Sequence, residues 1–164
     1  MSYSTVRIGF YGHDALYDFP ANEAELNKLL DAVKRLALRH KDVTMYYELG
    51  ISEDTTAIIS VREIQTITFM RDGKASDPGV QVVDTDSLRD QSEAAFFLKG
   101  QTSAFRLDMD KGGPLAGMIE ALLDAGYDDE DIGCVMLSDK HDNPIFLMLD
   151  EIQFAVFDHS VVEH

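Results

Sequence analysis

Residues 56–70, "TAIISVREIQTITFM", are answered by residues 144–158, "PIFLMLDEIQFAVFD", at a constant offset of 88. Each phrase reads as two apolar runs of strand formers around a short polar break, which lies near Val61–Glu63 in the first. Four positions are identical: Glu63 with Glu151, Ile64 with Ile152, Gln65 with Gln153, and Phe69 with Phe157. The phase of the apolar positions predicts that each Ile turns inward while its polar neighbours satisfy backbone groups or face solvent.

The surrounding elements repeat in the same order. "VRIGFYG" (6–12) alternates as a strand and "ALYDF" (15–19) returns as its hairpin partner, and "AAFFLKG" with "SAFRL" (103–107) follow the same plan later in the chain. "ANEAELNKLLDAVKRLALRH" places Leu26, Leu29, Leu30, Val33, Leu36 and Ala37 on one helical face. Asn22 with Glu25 forms its start signal, and Lys34, Arg35, Arg39 and Lys41 suit the negative end of the helix dipole. The counterpart helix is "GPLAGMIEALLDAG", shorter, with Leu115, Met118, Ile119 and Leu122 as its stripe. "DIGCVML" matches "DVTMYYE" after a one-residue shift. The resulting expectation is an α+β fold built by internal duplication of a strand-strand-helix-strands unit, mainly antiparallel, with one helix per repeat. The first repeat spans 1–71, a polar connector 72–93, with "VQVV" as a short edge strand, and the second repeat 94–164. One such unit has a marginal core, so two packed together bury what each leaves open.

Charge is the main compositional signal. With 14 Lys+Arg against 30 Asp+Glu the net charge is −16, divided as −2, −4 and −10 over the three segments. An acidic chain is a poor direct ligand for nucleic acid, because phosphate contacts need local positive charge. No apolar run approaches membrane-spanning length and the first residues lack the pattern of a signal peptide, so no membrane role and a cytoplasmic setting are expected. A single cysteine, Cys134, allows no internal disulfide; placed in the apolar strand "IGCVML", it is expected to be buried and inert.

Motifs for chemistry are weak. His13, His40, His141, His159 and His164 have no metal-ligating spacing, and His13 and His141 are read as turn residues beside Asp14 and Asp142. "DMDKGG" (108–113) begins like a calcium loop, but its twelfth position is Ile119, with Glu120 one residue late. No phosphate-cradling glycine loop and no nucleophile elbow occur. No catalytic residue, metal or cofactor is therefore expected, and the chain is read as a non-enzyme. The leading expectation is an acidic binding protein, an inhibitor or immunity-type protein that engages a basic surface of a nucleic-acid-handling protein. Its contact residues would be Asp128, Asp129, Glu130, Asp131, Asp139 and Asp142, because adjacent carboxylates repel one another until a cationic partner relieves them. A second reading is a small-ligand or metabolite binder with a seam between the repeats lined by Tyr11, Tyr17, Tyr46, Tyr47, Phe97 and Phe105. A third is a self-assembling structural component pairing through exposed sheet edges.

Overall fold

The computed structural model describes residues 2–38, 44–71, 79–84, 88, 93–101, 103–108, 114–124, 133–138 and 143–158. Alternating apolar residues make β1 (Thr5–Phe10) and β2 (Leu16–Pro20) an antiparallel hairpin, with Val6 opposite Phe19 and Ile8 opposite Tyr17. Its turn passes through Gly12 at φ 81°, a left-handed conformation that glycine adopts without a Cβ clash. Helix α1 (Glu23–Ala37) starts where the Asn22 side chain accepts the Glu25 backbone N–H at 2.9 Å, and it buries Leu26 and Leu29. A second hairpin, β3 (Tyr46–Gly50) with β4 (Thr55–Ser60), leads through a 3-10 turn at Val61–Glu63 into β5 (Ile64–Met70). The predicted edge strand of the connector is β6 (Val80–Val82), which lies parallel beside β2.

The remaining elements follow in the same order. They are β7 (Glu93–Leu98), β8 (Phe105–Asp108), α2 (Pro114–Asp124), β9 (Cys134–Ser138), β10 (Pro144–Met148), a 3-10 turn at Leu149–Glu151, and β11 (Ile152–Asp158). Pairing agrees residue by residue at the offset of 88. Val6 opposite Phe19 becomes Ala94 opposite Leu107, and Tyr47 opposite Ile59 becomes Val135 opposite Leu147. The register shift that brings Phe10 to Ile64 recurs where Leu98 meets Ile152. The turns agree as well: Tyr11 N–H donates to Glu63 carbonyl at 3.1 Å and Lys99 N–H to Glu151 carbonyl at 2.9 Å.

The strands form a five-stranded sheet β3-β4-β11-β7-β8, a four-stranded sheet β5-β1-β2-β6 and the two-stranded β10-β9. The fold is thus α+β with mostly antiparallel sheet and two helices among the described residues. The halves share the largest sheet, because β4 pairs with β11 from Thr55 opposite Asp158 to Ile59 opposite Phe154. One core gathers α1, the β1–β2 hairpin, Leu49, Ala57 and Ile59, together with Phe154 and Val156 from β11. The other gathers Met118, Ile119 and Leu122 of α2, Leu137 and Leu147, and the opposite face of the shared sheet, including Tyr46, Ile58, Ala155 and Phe157. β11 is therefore buried along its whole length, whereas β5, its counterpart, is an edge strand with Gln65, Thr66 and Thr68 exposed.

Two expectations are corrected. Cys134 is exposed, because it lies on the outer face of the β9–β10 hairpin while Leu137 and Leu147 fill the core from the inner face. The one-residue shift does not fall in the strand after the helix: Tyr46 pairs with Ser60 and Cys134 with Met148, both at offset 88. It falls in the helix, where Met118, Ile119 and Leu122 stand 89 residues after Leu29, Leu30 and Val33. A helix can rotate its stripe to suit its own core, whereas a one-residue slip in a hairpin turns every side chain to the wrong face.

Candidate functional site

The two related phrases meet where the halves join. β11 brings Gln153, fully buried, under the turn after β1, and its Nε2 donates to the Tyr11 carbonyl at 2.8 Å and lies 3.5 Å from Glu63 Oε1. Glu63 ends the first 3-10 turn, and its Oε2 lies 3.2 Å from Lys99 Nζ, just beyond β7. Among the described residues Gln153 Oε1 has no hydrogen-bond partner, and the buried Nε2 of His13 has none either. His13 itself packs edge-on against Tyr17 beside the same turn.

Above this contact lies a cavity of about 200 Å³ whose wall includes Tyr46, Arg62, Glu63, Lys99 and Asp150. Two cationic and two anionic side chains thus surround one phenol. The Tyr46 hydroxyl lies 2.7 Å from the Leu149 carbonyl and 2.9 Å from the Ile152 carbonyl, and it shares its single proton between them. Burial, then the Asp150 carboxylate, raises the Tyr46 pKa well above the ordinary tyrosine value, against the lowering effect of Ser60 and Arg62. At neutral pH this phenol is a hydrogen-bond donor. Among the described residues no group of three or more His, Cys, Asp or Glu side chains could hold a metal ion. The wall can orient a small polar or zwitterionic group through opposite charges.

A second cavity, of about 400 Å³, opens in the first half between α1 and the strands. Its floor is apolar, from Leu29, Val33, Tyr47, Ile59, Val61 and Ile64, and Lys28 and Asp31 stand at its margin. The Tyr47 pKa is pushed up to about 12, first by burial and then by the Glu25, Asp31 and Glu48 carboxylates.

The aromatic residues expected along a seam divide between these regions. Tyr17 and Phe97 meet at a centroid distance of 5.9 Å, in a cluster centred on Phe154. The Phe154 ring stacks on Phe97 at 4.0 Å and lies 5.2 Å, 5.0 Å and 5.1 Å from Phe10, Tyr17 and Phe19. Tyr46 and Tyr47 border different cavities, Phe105 packs against the second core, and the Tyr11 ring is exposed. Asp128, Asp129, Glu130, Asp131, Asp139 and Asp142 lie outside the described residues, as do His40, His141, His159 and His164. Arg62, Lys99 and Asp150 were not singled out from the sequence. The signal available for two of them was Arg62 standing opposite Asp150 at offset 88, a charge inversion inside the repeated phrase. Compared with protein-family models, curated proteins and solved structures, the chain matches none.

Proposed function

We propose that this chain is a non-catalytic binding protein whose acidic second half docks on a basic surface, acting as an inhibitor that occupies the phosphate-binding face of a nucleic-acid-handling protein. The observation that carries the reading is the fate of the cations. Residues 94–164 have a net charge of −10, and the two described cations there, Lys99 and Arg106, are engaged by Glu63 and Glu93 within the fold. Asp124 and Glu151 remain on the surface of the same half. An uncompensated field of this kind accelerates encounter with a cationic partner and makes the complex sensitive to salt. The test replaces Asp128, Asp129, Glu130 and Asp131 together by Lys. Partners are then captured from a nuclease-treated lysate of the source cell on each form and eluted along a salt gradient. A stoichiometric basic protein held by the parent chain and lost by the variant supports the proposal; equal retention by both removes the run 128–131 from it.

The charged cavity favours a second reading, a small polar ligand held by Arg62, Glu63, Lys99 and Asp150. A metabolite that raises the melting temperature of the parent chain, but not of Lys99→Met, supports it.

We also infer that the two halves descend from one duplicated unit. Equal element order, equal strand register and the matched turns support this, along with the four identities of the repeated phrase.

A further inference from the structure

The seam that joins the halves has a counterpart that stays open. β4 pairs with β11, and the stretches related to them by the offset are β10 and residues 66–70 of β5. Neither β10 nor β5 has a partner on its outer edge among the described residues. Neither carries a charge: β5 reads IQTITFM and β10 reads PIFLM. Uncharged open edges are templates for strand addition, which proteins usually blunt with lysine, proline or a bulge; the one proline here, Pro144, stands at the first position of β10 and leaves Ile145–Met148 unblunted.

The faces beside these edges are unmatched in the same sense. Ile58, from β4, is fully buried in the core of the second half; its counterpart Phe146 is 58% exposed, next to Met136 at 59% and Met148 at 53%. Leu149 and Ile152 are buried in the second half, beneath the Tyr46 hydroxyl. Their counterparts Val61 and Ile64 instead line the open 400 Å³ cavity of the first half. One half therefore exposes the apolar side chains, and the other holds the space, that the closed seam brings together. Within one chain each strand is anchored in its own core, β10 through Leu147 and β5 through Ile67 and Phe69.

We propose that a second copy of this chain closes the open seam: β10 of one copy adds antiparallel to β5 of the next. The register of the closed seam sets Phe146 opposite Ile67 and Pro144 opposite Phe69. Because different surfaces meet, the contact is head-to-tail, and it continues into a ring or a filament. This inference is independent of the acidic docking proposal, and salt separates the two. Each copy carries −16, so screening strengthens self-association while it weakens capture of a cationic partner.

The test is sedimentation of the purified chain across concentration at low and high salt, with Phe146→Lys and Thr68→Lys, two exposed positions whose substitution leaves the monomer folded. The expected result is concentration-dependent assembly favoured by salt. Each variant alone weakens it by about tenfold or more, the scale of one lost phenylalanine contact. The two variants mixed stop at a heterodimer, because each retains one intact edge. A chain that stays monomeric at every concentration and salt overturns the proposal. It is equally overturned if Phe146→Lys abolishes assembly while Thr68→Lys leaves it untouched, since that pattern marks a symmetric contact of β10 with β10.

Discussion

Replacing Phe154 by Ala tests the joint between the halves. The side chain is fully buried and touches four other rings, and two of its neighbours, Phe10 and Phe97, come from different halves. Truncating a buried Phe costs about 3–5 kcal/mol through lost transfer energy and the cavity left behind. Each well-placed ring pair adds roughly 0.5–1.5 kcal/mol beyond burial, although the pairs share one ring and do not add in full. A loss near the upper end, about 4–5 kcal/mol, is therefore expected, set against a total stability of about 5–15 kcal/mol for a domain. Equilibrium unfolding in urea measures it. With a slope of about 2 kcal/mol per molar, the midpoint falls by roughly 2 M while the slope stays constant. Leu38→Ala is the control, since truncating a side chain 73% exposed changes stability by only about 0.5 kcal/mol. A Phe154→Ala loss below about 1 kcal/mol, or equal to that of Leu38→Ala, would refute the assignment of this ring cluster to the joint.

Three further outcomes follow from local geometry. Tyr46→Phe deletes the hydroxyl shared by the Leu149 and Ile152 carbonyls, and a loss of about 1–3 kcal/mol is expected in the same unfolding assay. The folded-state pKa of Tyr46 lies above the ordinary tyrosine value of 10.0, so its stabilisation is complete below pH 10 and disappears as pH rises toward the folded pKa. Stability should therefore decline on the alkaline side of pH 10, and less steeply in Tyr46→Phe than in the parent. Gly12→Ala and Gly100→Ala both force a Cβ into a left-handed turn, at φ 81° and 74°, and each should cost about 1–2 kcal/mol. Markedly different losses would show that the two turns, despite their shared register, bear different loads.

Much of the fold was legible because local and tertiary demands agree. The Asn22 start, the alternation in β1 and β2 and the break at Val61–Glu63 are each written in a few adjacent residues, and each appears where it was expected. Which seam closes was harder to see, although one signal was present. "IQTITFM" alternates as a strand with one wet face, whereas "IQFAVFD" is nearly continuous in apolar residues, the mark of a strand covered on both sides. Gly9 opposite Thr66 becomes Phe97 opposite Phe154 for the same reason: in the first pair the Thr66 side chain covers Gly9 and itself faces outward, whereas in the second Phe97 packs on the buried Phe154 ring. Burial of Cys134 was misjudged because apolar neighbours along a strand do not reveal which strands lie at an edge. The charged cavity was hidden more deeply, since Arg62, Lys99 and Asp150 come from three separate turns and meet only after the halves join.

The halves are joined by one closed seam, β4 with β11, and its counterpart, β10 with β5, is open among the described residues. Amide hydrogen exchange on the dilute monomer tests that claim most directly. The interstrand amides of β4 and β11 should exchange only through global unfolding, and the outward amides of β5 and β10 should exchange faster by orders of magnitude. Equal, strong protection of β5 and β10 in the monomer would mean that the second seam is closed within a single chain, and would contradict the account.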